Sequence, residues 1–299
     1  MLLNASGCLD ALTAPATTRA LDAFVTKTVT PLPRGGNAPV RIAETDCGML
    51  NSIGLANPGR HRFLADVLPR LGELGVPIWV SVGGFSARDY AETCERLDGI
   101  AAIELNLSCP NVDEAPESAA EIVAACRAAT DLPLFAKLSP AAWDIAENAR
   151  AVAAAGADGL SLVNTLRGLA LDERTLRPRL AAGTGGYSGP ALKPVALAAV
   201  YACAKATSLP IVGMGGVQTG LDALELIAAG ASAVALGTIV FADPDAPARI
   251  RSELAAETAA RGLAEPLAAR ASAHATPRIA ASSGNRLQKT PGNRHKSTA

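Results

Sequence analysis

In AAIELNLSCPNVDE (residues 101–114) an apolar run gives way to Asn106, Ser108, Cys109 and Asn111, so a thiol and two carboxamides gather where a strand would leave the core. An unperturbed thiol has a pKa of about 8.5 and becomes a usable base when nearby dipoles or cations lower it. A carboxamide donates to one atom and accepts from the next, so it can orient a polar planar ring without adding charge. Lys27 and Lys137 also fall at the ends of apolar runs. Lysine is rarely buried without a partner, so these two are expected to meet an anion or an electron-rich ring, with a Schiff-base role as the rival. The glycine-rich ends GMGG (213–216) and LGT (236–238) would let backbone N–H groups approach a phosphate, and GGYSGPALKP (185–194) adds a further approach at Gly189. Taken singly, each of these residues also fits a bland role as a loop or helix-capping residue.

Placing them at one site requires a particular set of elements. Eight runs read as strands: MLLNASG (1–7), AFVTKT (23–28), PIWVSVGG (77–84), AIELNLSCPN (102–111), LPLFAKLSP (132–140), GLSLVNT (159–165), PIVGMGG (210–216) and AVALGT (233–238). Between most of them lie Ala- and Leu-rich segments with helical spacing, such as ENARAVAAAGA (147–157) and GLDALELIAAGA (220–231), each closing near a glycine. Strands that alternate with helices imply a parallel sheet, and eight of them imply a closed (β/α)8 TIM barrel. A doubly wound open sheet is the alternative. The barrel is preferred because the polar residues all follow strand ends, where such barrels keep their chemistry.

Composition narrows the functional class. The net charge of −1 gives the body no nucleic-acid signature. No apolar run approaches the roughly 18–20 residues of a membrane helix, and the first residues do not read as a secretory signal. The six cysteines form no CxxC or zinc-type spacing, so they are expected as reduced thiols of a cytoplasmic protein. Cys8 and Cys47 are expected on the pocket wall; Cys94, Cys126 and Cys203 are expected in helix packing. Trp79 and Trp143 are expected as core or shoulder residues rather than substrate stackers. With three histidines, two of them near the C-terminal end, a His-based triad or metal site is disfavoured. The chain divides into a barrel at 1–253, an Ala-rich, partly helical extension at 254–276 and a basic, disordered tail at 277–299. That tail holds five basic residues and no acid, leaving 22 basic against 28 acidic residues in the rest.

These motifs resemble dihydroorotate dehydrogenase of class 1, and within it the NAD-linked class 1B catalytic subunit. The resemblance rests on NASG (4–7), TKT (26–28), ETDCGMLNSIGLANPG (44–59), ELNLSCPNV (104–112), KLSP (137–140), VNTLRG (163–168), GGYSGPALKP (185–194), GMGGV (213–217) and LGT (236–238). ETxxGMLNxIGLxNPG and NLSCPN are its specific signals. The resemblance implies an FMN-binding barrel that oxidises (S)-dihydroorotate to orotate in pyrimidine synthesis. Carried over by motif, Ser6, Lys27, Thr28, Asn106, Lys137, Val163, Gly189, Gly215, Gly216, Gly237 and Thr238 would contact FMN. Asn51, Ser52, Ile53, Gly54, Leu55, Asn106, Asn111, Asn164 and Thr165 would hold the substrate, and Cys109 would be the catalytic base. Lys137 would favour the reduced ring electrostatically.

The chain departs from the family at both ends. The family normally has another strand or hairpin before NASG, whereas Met1 here stands three residues before Asn4, so either the true start lies upstream or the first strand is truncated, and a short first strand would leave one barrel neighbour partly unpaired. There is no Rossmann-type GxGxxG after a strand and no cysteine cluster for iron–sulfur. The class 1B resemblance therefore implies a homodimer joined by an FAD and [2Fe–2S] electron-transfer subunit in a heterotetramer. Three rival readings stand beside it: a fumarate-linked class 1A enzyme, another FMN-barrel reductase of the dihydropyrimidine or dihydrouridine type, and a non-catalytic flavin-binding subunit.

Overall fold

A computed structural model describes residues 1–107 and 118–275. Twelve strands are present among them: β1 (Leu2–Asn4), β2 (Phe24–Val25), β3 (Ile42–Thr45), β4 (Gly48–Asn51), β5 (Ile78–Val82), β6 (Ala102–Asn106), β7 (Leu134–Lys137), β8 (Gly159–Leu162), β9 (Leu166–Gly168), β10 (Gly185–Ser188), β11 (Ile211–Met214) and β12 (Ala233–Leu236). The helices are α1 (Pro15–Arg19), α2 (Arg60–Arg62), α3 (Leu68–Gly72), α4 (Ala87–Cys94), α5 (Ala119–Ala129), α6 (Ile145–Ala154), α7 (Lys193–Ala206), α8 (Gly220–Ala229), α9 (Ile239–Ala242) and α10 (Ala246–Ala260). Polar side chains start several of them. Ser118 and Glu121 form a capping box on α5, Thr219 and Asp222 form one on α8, and Asp144 caps α6.

All eight expected strands enter one parallel sheet, in the order β1-β12-β11-β8-β7-β6-β5-β2. The ring closes between β1 and β2 through a single bridge, Leu3 to Ala23. The expected shortfall in pairing is thus real, and a side chain offsets it. Buried Asn4 donates from Nδ2 to the Val25 carbonyl and accepts the Val25 N–H at Oδ1, both at 2.8 Å. Its carboxamide replaces the missing peptide of the ladder, which satisfies backbone groups that burial would otherwise penalise. Asn4 is therefore a structural residue rather than part of the polar mouth.

Strand alternation sorts the core into two parts. Outward residues such as Val80, Ile103, Leu105, Leu134, Leu160 and Ile211 pack beneath the helices. Full burial of such a side chain contributes about 1.5–3 kcal/mol. Inward residues Leu3, Val25, Trp79, Val212 and Ala235 fill the barrel, and Trp79 meets Phe135 at 4.4 Å between ring centroids. Above this apolar layer sit inward polar residues, Ser81 and Glu104 side by side in register, with Lys137 beside Ser161.

Several expectations change. A second sheet, β3-β4-β10-β9, is antiparallel and stands outside the eight-run pattern. Trp79 is core as expected, whereas Trp143 is fully exposed at the turn before α6. Cys94, Cys126 and Cys203 are buried as expected, and Cys47 is exposed rather than on a pocket wall. The boundary at 253/254 falls inside α10, so the extension continues the last barrel helix. Beyond α10, the Ala271 N–H, Arg270 and His274 bond the Ile227, Gly230 and Ala229 carbonyls at the end of α8. Cys109, Asn111 and the tail from residue 276 onward lie outside the described residues. No helix among the described residues is long and apolar enough to cross a membrane.

Candidate active site at the barrel mouth

The C-terminal ends of the strands surround a cavity of about 440 Å³. That volume lies in the range of small-molecule sites. The antiparallel sheet roofs one side. Ile42 and Asn51 pair in register, Asn51 pairs with Gly186, and Ile42, Met49, Asn51 and Ser188 all line the cavity from the same face.

A continuous hydrogen-bond chain fixes the polar wall. Asn106 donates to Thr28 Oγ1 at 3.1 Å and accepts from Asn164 Nδ2 at 3.1 Å, and Asn164 Oδ1 takes the Thr165 N–H at 2.8 Å. Thr28 Oγ1 lies 3.0 Å from Ser81 Oγ and 3.4 Å from Ser6 Oγ. The Tyr90 hydroxyl donates to the Asn106 carbonyl at 2.7 Å, pinning the end of β6. Side chains on or just beyond five strands, β1, β2, β5, β6 and β8, are thereby held in one arrangement.

The opposite end is backbone. Gly215 and Gly216 have φ of +124° and +76°, a region that favours glycine. A Cβ on Gly216 would lie 2.6 Å from the Lys193 backbone nitrogen at the start of α7, so the loop packs directly on that helix. Gly189, with φ +115°, immediately precedes the 3-10 turn leading into α7. Thr238 donates to Ser188 Oγ at 2.8 Å, tying the end of β12 to β10. Behind the loop, Asp222 accepts the N–H groups of Gln218 and Thr219 and an Nζ–H of Lys193. Burial works against this carboxylate, yet Lys193 and the two N–H groups hold it below the usual carboxylate range.

Charge is placed asymmetrically. Lys27 and Lys137 line the cavity, and no acid lines it among the described residues. Glu104, almost fully buried behind Lys137, has its Oε1 3.4 Å from Lys137 Nζ. Burial pushes the Cys8 thiol up from its ordinary value, against the pull of the Lys137 and Lys27 charges.

All eleven residues expected to contact FMN line this one cavity: Ser6, Lys27, Thr28, Asn106, Lys137, Val163, Gly189, Gly215, Gly216, Gly237 and Thr238. Of the expected substrate residues, Asn51, Ile53, Leu55, Asn106, Asn164 and Thr165 line it too. Ser52 and Gly54 do not. Ser52 is buried and accepts from Asn37 Nδ2 at 2.7 Å, while Gly54 has φ +72° and packs on Asn37, so both shape the loop from behind. Cys109 and Asn111 lie outside the described residues. Sequence reasoning missed Glu104 and the apolar wall of Ile42, Met49 and Met214. An acid inside an apolar strand, two residues before Asn106 and on the same inward face, was the available signal for Glu104.

The comparisons agree with this geometry. The dihydroorotate dehydrogenase family model matches residues 1–257. The catalytic subunit of dihydroorotate dehydrogenase B (NAD(+)) from Halalkalibacterium halodurans is 47% identical over 234 residues, covering 75% of this chain and 77% of that one. The same subunit from Trichlorobacter lovleyi is 47% identical over 255 residues, covering 82% and 84%. A crystal structure of DHODH from Eimeria tenella in complex with ferulenol aligns with TM-score 0.75 at 24% identity, over 92% of this chain and 85% of that one, and supports the fold. With a family match across the whole barrel and near-half identity to several relatives, the chain belongs to the dihydroorotate dehydrogenase family.

Proposed function

We propose that this chain is the catalytic subunit of a class 1B enzyme that oxidises (S)-dihydroorotate to orotate in pyrimidine synthesis, with FMN as its cofactor. The observation that carries the reading is the convergence of the lysines, carboxamides and glycines on a single cavity. The names of its relatives support the substrate and the NAD link.

The residues fit the cofactor. Backbone at Gly189, Gly215 and Gly216, where a positive φ favours glycine, together with Gly237 on the same lining, suits a phosphate. Lys27 and Lys137 suit an electron-rich ring, and Ser6, Thr28, Asn106, Val163 and Thr238 complete its cradle. FMN, when bound, supplies the acceptor for the hydride that leaves C6 of the substrate.

The chain's own part is to position the substrate and move its proton. Asn51, Asn106 and Asn164, with Thr165, offer paired donors and acceptors to the imide-like edges of a planar ring. Ile53 and Leu55 flank it. Asn111 and Cys109 join this set through the resemblance, Cys109 as the base that takes the C5 proton. Ordered carboxamides hold the reacting atoms in place without reorganisation, which lowers the barrier by several kcal/mol.

We place the activity in the cytoplasm, in a homodimer that passes electrons to an FAD and [2Fe–2S] partner subunit. Anaerobic addition of dihydroorotate to the yellow purified protein is expected to bleach the flavin absorbance within one turnover. A yellow protein that dihydroorotate never bleaches would refute the reading.

A further inference from the structure

The cavity presents two lysines, and directly behind one of them stands an acid that the proposed chemistry does not use. Glu104 lies on β6, two residues before Asn106, and points into the barrel. Its side chain is 2% exposed, that of Lys137 is 7% exposed, and Oε1 and Nζ are 3.4 Å apart. Lys137 lines the cavity and Glu104 does not. In register beside Glu104 on the neighbouring strands stand Ser81 and Phe135, and Ser161 stands beside Lys137.

A buried carboxylate is costly unless it is paired, and removing one member of a buried pair leaves the other uncompensated. Glu104 therefore has two effects on the cavity. It helps to hold the Lys137 ammonium at the inner wall. It also offsets part of the positive charge that Lys137 projects toward a bound ring, through an interior where charges are weakly screened.

We propose that Glu104 is a positioning residue for Lys137, tethering its ammonium and tempering the positive charge that the site presents to a ring gaining electrons. This rests on the FMN reading above. Without Glu104 less of the Lys137 charge is offset, and the electron-rich reduced ring is favoured more strongly. Without Lys137 that favour is lost.

The test is the midpoint potential of bound FMN, measured by dye-equilibrated anaerobic reduction. Wild type, Glu104→Gln, Lys137→Met and the double variant are compared. Glu104→Gln is expected to move the potential positive and Lys137→Met to move it negative. In the Lys137→Met background, Glu104→Gln is expected to produce less than half of its shift. Glu104→Asp, which withdraws the carboxylate by one methylene, is expected to give a smaller positive shift and serves if the glutamine variant does not fold.

A Glu104→Gln protein with a lowered melting temperature and an unmoved or negative potential would make the acid merely structural and overturn the proposal. Equal shifts in both backgrounds would overturn the dependence on Lys137. A wild-type chain that takes up no FMN overturns the underlying reading, and this inference with it.

Discussion

Asn106→Ala tests the polar wall at its hub. The carboxamide links β6 to two neighbouring loops, donating to Thr28 and accepting from Asn164 at 3.1 Å each. The substitution breaks both bonds, including the one from Asn164, which in turn holds the Thr165 N–H. At a net of about 1 kcal/mol per hydrogen bond, with a similar loss for the direct contact to the substrate ring, the cost is about 2–3 kcal/mol in the transition state. That corresponds to a roughly 30- to 150-fold slower reductive half-reaction. Stopped-flow bleaching of the bound flavin by dihydroorotate under anaerobic conditions measures it. The Tyr90 bond to the Asn106 carbonyl survives the change, so β6 is expected to keep its place and the protein its fold. A variant that binds FMN and bleaches within threefold of the wild-type rate would show that the amide chain does not organise the substrate.

Two further outcomes concern the frame of the site. Asn4→Ala removes both 2.8 Å bonds to Val25 and orphans a buried N–H and a buried carbonyl at the barrel seam, so a loss of about 2–6 kcal/mol is expected in urea unfolding; a loss under about 1 kcal/mol would show that the side chain does not substitute for the ladder. Asp222 is held below the ordinary carboxylate value despite its burial, so the unfolded chain binds its proton more readily than the native one. Its stabilisation is present above the unfolded carboxylate pKa of about 3.9 and is lost as pH falls through the lower native value. Asp222→Asn is expected to flatten stability against pH on the acid side while lowering it at neutral pH, and an unchanged acid limb would refute the assignment.

The barrel was legible because its strands are buried on both faces and read as continuous apolar runs, as in LPLF before Lys137 or AVAL before Gly237. The antiparallel sheet was not. GMLN, LRG and GGYS are short, rich in glycine and half-exposed, so neither a run nor an alternation stands out. Those residues were visible only as parts of family motifs, without their structural role. The same limit applies to Asn4, Ser52 and Gly54. Sequence places them beside functional residues, while hydrogen bonding and close packing turn them to structural work. Glu104 was hidden for the opposite reason. Position alone made it a strand residue, and only its burial beside Lys137 shows what a charge is doing there.

The arrangement of charge follows from what the proposed ligands carry. A phosphate and a carboxylate are both anions, and each gains from the cations that line the cavity. A cavity lined by lysine alone would bind many anions with little discrimination, because an ammonium is a point charge without directional preference. Neutral carboxamides supply the direction instead, since each must match a donor and an acceptor at fixed spacing. Placing the acid behind Lys137, rather than in the lining, tempers the field without repelling either anion. The division of labour is thus between cations that attract and amides that select, and exchanging Asn106 or Asn164 for a charged residue would disturb the second while leaving the first.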